Sequence, residues 1–492
     1  MEIISLADLY SISPLLFLTL GAFGILIVDV FSKESWLRAS YTSIFILAAL
    51  SFAFQLADVA APGKTAFWDA IYVDSFSIYF QVLILVGALL TVMLSHGRIA
   101  QEGVRSLGEF YALFLMSTIG AIIFVSAAEM VTLFLGLEIM SMALYCMCGS
   151  AVHSKDSAES ALKYFFLGSF SSAFMLFGIA LMYGVSGTLS LAESAAVLSS
   201  SNSGLVPIAV GFVLIGFVFK IGAVPLHFWA PDVYQGAPTT VTAYMACVVK
   251  AAAVGAALRV LWTSFGSDTL FGIWASAVWI IAALTMVVGN LVALRQRSLK
   301  RMLAYSSIAH AGYIMVAFLA PHQGGGSAVL FYIAVYTAMT LGAFGVVLAV
   351  ASPHSSEPDA DDIHRFQRLG YRNPVLAGCM TLFLLSLAGL PPGLAGLLGK
   401  FYVFNAAVQA NYVGLAIIGV LCSAVSCYYY LRVIVAMYFI PKEESDSDSL
   451  APLAPVSLPF AGVIGICAVA VVTLGLFPSI LHDGAQFVIE NF

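Results

Sequence analysis

Five ionisable side chains stand inside stretches of this sequence that are otherwise apolar: Glu138, Lys220, Lys250, His310 and Lys400. Each lies several residues from either end of its stretch, too deep for all of them to reach water by extending the side chain. A charge at mid-bilayer costs about 2.5–3.5 kcal/mol on insertion scales, so five such residues are hard to explain as accidents. Burial favours the neutral form of lysine, and a nearby carboxylate restores the charged form. A buried lysine beside a movable carboxylate therefore has two states of similar energy, one holding a proton and one releasing it. That chemistry is proton relay rather than catalysis on an organic substrate. The bland alternative, a satisfied packing residue or a hydrogen bond between helices, fits His310 better than it fits the lysines.

Helical spacing gives these residues polar companions. Ser306, Ser307, His310 and Tyr313 share one helix face, as do Tyr332, Tyr336 and Thr340, and Glu138, Ser141 and Tyr145. Such stripes act as glue between helices or hold water between titratable groups, and spacing alone does not separate the two.

The elements that carry them follow from composition. Of 492 residues, 61% are hydrophobic and 9% are charged, with a mean hydropathy of +1.00. A soluble domain carries about 25% charged residues. Continuously apolar stretches of roughly 20 residues, enough to cross about 30 Å of hydrocarbon, recur along the chain. The fold class is an all-α polytopic membrane protein, and a β-barrel, which needs alternation, is excluded. Fourteen spans are expected near 9–31, 40–57, 73–95, 109–126, 130–150, 161–185, 205–225 with a continuation, 240–262, 271–294, 302–320, 327–351, 374–409 with a break, 411–439 and 458–481. The first reads as a membrane helix, not a cleaved signal, because no basic residue precedes it.

Lys and Arg concentrate in or beside the odd-numbered connections, from Lys33 and Arg38 through Lys300 and Arg301 to Lys442, whereas the even-numbered ones hold Lys64 and Arg259. The positive-inside rule then places the odd connections in the cytoplasm and both termini outside. The polar connections 352–373 and 441–457 read as solvated loops, and a net charge of −6 decides little. The seven cysteines, at 146, 148, 247, 379, 422, 427 and 467, form no CxxC pair and read as packing residues. No phosphate loop, haem or iron–sulfur spacing points to a cofactor in this chain.

Two spans are interrupted. Span 7 breaks around Gly222–Pro225, beside Lys220 and just before His227, and span 12 breaks around Gly389–Pro391–Pro392–Gly393, shortly before Lys400. Proline removes a backbone donor and clashes with the preceding turn, so the freed carbonyls need a protein-lined or wet interior. The breaks are five spans apart, and an odd number of spans per unit makes successive units run in opposite directions. Spans 4–8 and 9–13 thus read as two inverted five-helix repeats with discontinuous helices 7 and 12, a sequence pointer to an ion path in transporters. The expected division is 1–108 as a three-helix segment, 109–265 and 266–440 as the two repeats, and 441–492 as a loop and final helix.

VPLHFWAPDVYQGAPT, LFLGLEIMSMALY around Glu138, AYSSIAHAGY at 304–313 and LAGLPPGLAGLLGKF together resemble the antiporter-like membrane subunits of respiratory complex I and their Mrp antiporter relatives, over nearly the whole chain. Within the family the chain is most similar to the N-type branch. Lys400 stands where the M-type typically has glutamate, and the L-type continues beyond span 14 into a lateral helix. One departure is Thr240, where the family often has proline. The resemblance implies proton translocation, with Glu138 as the carboxylate of span 5, Lys220 its paired lysine, Lys250 the central lysine and Lys400 the residue facing the outer exit. It also implies that FMN, iron–sulfur clusters, NADH and quinone belong to partner subunits. The expected partners are other membrane subunits, including further antiporter-like ones, and the lipid of a bacterial inner membrane, with no nucleic acid. A cation/proton antiporter subunit and a non-conducting scaffold are the alternatives. Three geometric expectations follow: a Glu138–Lys220 ion pair across spans 5 and 7, Lys250 and His310 in one layer reaching toward Lys400, and Lys400 as the outer terminus of the relay.

Overall fold

The computed structural model describes residues 5–31, 34–350, 361–439 and 457–492. Lys33 and Lys442, with 352–360 of the first long connection and 441–456 of the second, lie outside the described residues.

The chain is helical nearly throughout. α1 (Leu6–Ser11), α2 (Ser13–Phe31) and α3 (Ser35–Leu56) precede a small hairpin of β1 (Thr65–Ala66) and β2 (Ile71–Tyr72). Then come α4 (Ser75–Ser95), α5 (Leu107–Ser126), α6 (Met130–Cys148), α7 (Lys155–Ser186), α8 (Leu191–Ser200), α9 (Leu205–Ile221), α10 (Trp229–Gly236), α11 (Thr239–Tyr244) and α12 (Lys250–Thr263). One π-helical turn, Met245–Val249, joins α11 to α12 directly before Lys250. The second half holds α13 (Asp268–Ala293), α14 (Leu299–Phe318), α15 (Gly325–Val350), α16 (Leu369–Arg372), α17 (Pro374–Ala388), α18 (Leu394–Gln409), α19 (Val413–Phe439), α20 (Leu458–Leu476) and α21 (Ser479–Glu490).

Among the described residues, eleven helices are long and apolar enough to cross a membrane. The other three expected spans fall on α9 with α10, on α14, and on α17 with α18. α14 is long enough, but Lys300, Arg301 and His310 make it too polar for that measure. The short helices α8 and α21 and the hairpin were not expected, because none is a long apolar run.

The sequence explains the boundaries. Asp74, Ser154 and Ser298 cap α4, α7 and α14 by accepting from backbone N–H groups of the first turn, and Asn373 does so for α17 with Pro374 at its first position. Both interrupted spans stop at a glycine in the left-handed region, Gly222 (φ 78°) and Gly389 (φ 82°), where a side chain would be strained.

The α11–α12 unit is buried along its length and α15 nearly so, whereas α2 and α3 turn most of their surface outward. Connections sort into two groups. Odd ones meet one another: Val104 bridges Ala151, Ser298 bridges Asp362, and Lys300 donates to the Ala237 carbonyl (2.8 Å). Even ones do the same: Ile71 bridges Ala127, Glu129 bridges Ser190, and Ser264 donates to the Leu191 carbonyl (2.9 Å). Four positions differ from expectation. Arg38, Arg98, Lys300 and Arg259, read from sequence as connection charges, are buried; Lys300 and Arg259 each have a protein acceptor that replaces water.

Candidate functional site

Lys220, two residues before the Gly222 cap, lies inside the protein. Its ammonium donates to Ser141 Oγ (2.7 Å) on α6 and to the Tyr164 hydroxyl (3.1 Å) on α7, and it sits over the Tyr164 and Tyr145 rings at 5.0 and 5.9 Å. The expected direct ion pair with Glu138 is not formed. Ser141, one turn along α6 from Glu138, accepts the lysine hydrogen bond and donates its own to the Leu137 carbonyl (2.5 Å). Glu138 remains within electrostatic reach of Lys220, and its Oε1 is buried without a hydrogen bond. The carboxylate and the ammonium are therefore neighbours through a hydroxyl, not partners in contact.

The break in span 7 is satisfied from elsewhere. Thr285 of α13 accepts from the Val224 N–H (3.0 Å), and the Trp229 indole donates to the Phe219 carbonyl (3.0 Å). Pro225 opens the gap between α9 and α10. His227 is buried with Nδ1 unpaired, and its contacts are to Pro225 and Phe228, not to the other site residues. Trp229 stacks on Tyr164 at 4.5 Å, so α10 begins against the Lys220 group. Tyr234 further along α10 reaches Ser307. In the first turn of α10, Asp232 bridges Lys163 (2.6 Å) and Arg301 (2.7 Å).

Lys250, placed by the π-helical turn, donates to the Ser307 carbonyl (2.6 Å) and to the Ser307 hydroxyl. Such turns often mark functional positions. His310, one turn further along α14, contacts the Tyr332 hydroxyl through Nδ1 (2.6 Å) and the Tyr430 hydroxyl through Nε2 (3.2 Å). Tyr430 also meets Ser306 (2.5 Å). Two tyrosine rings bracket the histidine. Tyr336 lies 5.2 Å from His310 and 5.4 Å from the Lys250 ammonium; Tyr313 lies 5.6 Å from His310 and 5.1 Å from the Lys400 ammonium. Lys250, His310 and Lys400 thus form one buried series. Asn290 of α13 fixes it from behind, donating to Tyr313 (3.0 Å) and accepting from Tyr429 (3.1 Å).

Lys400 donates to the carbonyls of Leu387 (2.9 Å) and Ala388 (2.8 Å) and to Ser423 Oγ (2.9 Å). These carbonyls end α17 at the break, and Pro391 and Pro392 turn outward beside them. The lysine therefore caps the broken helix while holding an exchangeable proton.

Serine and tyrosine spacing on single helices foretold Ser141, Ser306, Ser307 and Tyr313. Tyr164, Ser423 and Tyr430 carried no signal, because they come from other helices and are ordinary in membrane spans; Trp229 and Tyr234 lie in the VPLHFWAPDVYQGAPT motif, but nothing in it pointed to their contacts with Tyr164 and Ser307.

The arrangement defines a polytopic membrane protein with two discontinuous helices and a buried line of titratable groups. The chain belongs to the NADH:quinone oxidoreductase/Mrp antiporter transmembrane family, whose model matches residues 127–426. It is 43% identical over 487 residues to NADH-quinone oxidoreductase subunit N of Trichlorobacter lovleyi, covering 97% of this chain and 96% of that one. It is 39% identical over 463 residues to the subunit N of Salinibacter ruber, covering 92% and 90%. Among solved structures it superposes on a chain of respiratory complex I from Thermus thermophilus with a TM-score of 0.80 at 34% identity, over 96% of this chain and 98% of that one. A chain of the Mrp complex from Dietzia superposes with a TM-score of 0.85 at 19% identity, over 98% and 97%, a likeness of fold alone.

Proposed function

We propose that this chain is a proton-translocating membrane subunit of an NADH:quinone oxidoreductase, moving protons along its buried titratable groups while redox chemistry proceeds on partner subunits. The observation that carries the reading is the buried row Lys250, His310 and Lys400, with the Tyr336 ring against the first two, the Tyr313 ring against the last two, and the Tyr332 and Tyr430 hydroxyls on the two histidine nitrogens; Ser307 holds one lysine and freed helix carbonyls the other. FMN, iron–sulfur clusters, NADH and quinone reside on those partners, and further antiporter-like subunits adjoin this one in a bacterial inner membrane. In this reading the chain crosses fourteen times, ten of the crossings forming two inverted repeats (spans 4–8 and 9–13), with the odd connections in the cytoplasm and both termini on the outer face as the lysine and arginine bias suggests; the mutual contacts of odd with odd and even with even connections support that alternation.

Each residue has a role in this reading. Glu138 biases Lys220 through Ser141, so a change in its charge or position alters how tightly Lys220 holds its proton. The shift is passed to Lys250 along α10, which touches the first group through Trp229 and the second through Tyr234. Lys250 releases its proton toward His310. A neutral imidazole donates through one nitrogen and accepts through the other, so a proton gained on one side is lost on the other. The tyrosine hydroxyls at both nitrogens can donate and accept in turn. Lys400 receives the proton and releases it outward.

The test is purification of the chain with its native partners. Flavin and iron–sulfur absorption should co-purify in fixed ratio, and NADH should drive dye-detected acidification of inverted vesicles. A complex without flavin that exchanges sodium for protons would replace this reading with that of an antiporter subunit.

A further inference from the structure

A charge pair that the relay does not use closes the even-connection end of the α11–α12 unit. Arg259 on α12 and Asp74 at the start of α4 are each 2% exposed. Nη1 and Nη2 of Arg259 meet the two Asp74 oxygens at 2.8 and 2.9 Å. Nη2 also donates to Ser77 Oγ (2.8 Å) and Nε to the Val125 carbonyl (3.2 Å). The rings of Tyr72, Phe76 and Phe492 cover the guanidinium at 4.5, 4.7 and 5.4 Å. One side chain thus ties α12 to α4, to the end of α5 and to the hairpin.

Between this pair and Lys250, the helix reads AAAVGAAL, without a polar side-chain atom, and every residue is buried. Packing is tight there, since a Cβ on Gly255 would meet Val125 at 2.6 Å and Phe80 at 2.9 Å. At 1.5 Å per residue, Arg259 stands about 13 Å from the level of Lys250.

We propose that the Arg259–Asp74 pair is the outer seal of the Lys250 compartment, so that a proton on Lys250 leaves only sideways, through His310 toward Lys400. The inference rests on the relay reading given above. A lysine that exchanges protons at mid-membrane gives net transport only if one side is shut to it. A guanidinium does not release its proton at ordinary pH, and a fixed positive charge opposes the approach of another, a device pores use to exclude protons. A purely structural tie gives a weaker account of the arrangement, because apolar residues of similar volume usually stabilise a buried site as well as an ion pair does.

The experiment is passive proton permeability of the assembled complex in vesicles under an imposed pH gradient, without NADH. Asp74→Asn leaves the guanidinium unpaired, and water follows it inward. The expected leak is about tenfold above wild type, the effect of a barrier lowered by about 1.4 kcal/mol. Adding Lys250→Met to the same chain should return it to the wild-type value, because the leak runs through Lys250. Phe492→Ala, which uncovers the guanidinium but keeps the charge pair, is the second variant should Asp74→Asn fail to assemble, and it should leak in the same direction. Membranes as tight as wild type in the seal variants, with pumping lost in Lys250→Met, would overturn the seal alone. A leak indifferent to Lys250→Met would also overturn it. Normal NADH-driven pumping by Lys250→Met would overturn the relay reading and the seal with it.

Discussion

A hydroxyl stands between the two residues of the first charged group, and this decides what substitutions there should do. Glu138 makes no contact with Lys220, so Glu138→Gln breaks no hydrogen bond of the lysine. NADH-driven pumping should fall severalfold while the amount of assembled complex stays near wild type; full pumping in assembled Glu138→Gln complexes would remove Glu138 from the relay. Ser141→Ala removes a hydrogen bond to a charged group, a contribution of about 1.5–3 kcal/mol, and should lower thermal stability as well as pumping. Lys400 presents two roles in one side chain, cap and carrier, and two substitutions separate them. Lys400→Met removes the donor of the Leu387 carbonyl and leaves the Ala388 carbonyl only Ser423 Oγ (3.4 Å), at about 1–3 kcal/mol for the buried group left unpaired, so stability and pumping should both drop. Lys400→Arg keeps donors for the carbonyls but does not give up a proton. Assembly and melting temperature should recover with Lys400→Arg and pumping should not; recovery of both would make Lys400 a cap alone. All five titratable residues were legible in the sequence, because a charge inside an apolar run is conspicuous. Their partners were not. Tyr164 and Ser423 are unremarkable residues on other helices, and only the packing of α7 and α19 brings them to Lys220 and Lys400.

At the scale of elements, both breaks were legible through glycine and proline; the first is closed by side chains, Thr285 and Trp229, and the second by close backbone approach. Gly396 lies so near the Ser386 carbonyl that an added Cβ would meet its oxygen at 1.8 Å, whereas Gly378 in α17 has open space around it. Gly396→Ala should therefore prevent stable assembly. Gly378→Ala should be tolerated, or stabilise by about 0.5–1 kcal/mol through helix propensity. Equal expression and melting temperature for the two variants would show that the second break is not packed this way. The π-helical turn before Lys250 had no compositional signal, since MACVV is an ordinary apolar stretch. The same holds for the start of α11. Glu102 accepts from the Thr239 N–H (2.5 Å), the Thr240 N–H (3.3 Å) and the Thr240 hydroxyl (2.8 Å). Thr240, where the family resemblance leads us to expect proline, thus supplies donors that a proline lacks, a local role that only the folded chain reveals.

At the scale of the whole molecule, hydropathy was enough to locate the segments that the long helices occupy, because lipid leaves the backbone few choices. The same signal was blind to α8 and α21, whose apolar faces are short, and to Arg259, since an arginine near a span end reads as a connection charge. Its buried pairing with Asp74 depends on a contact across 185 positions of sequence. What the assembled helices bring together is a buried row of titratable side chains, from Lys250 to Lys400, with a histidine set between two tyrosine rings, which we read as a lateral proton line. That lateral line is the central claim, and the proton-to-electron ratio of the assembled complex tests it most directly. Lys250→Met keeps the length of the side chain and removes its proton. In proteoliposomes oxidising NADH, the assembled Lys250→Met complex should translocate fewer protons per electron than wild type while flavin and iron–sulfur content stay the same. A wild-type ratio in that complex would contradict the account.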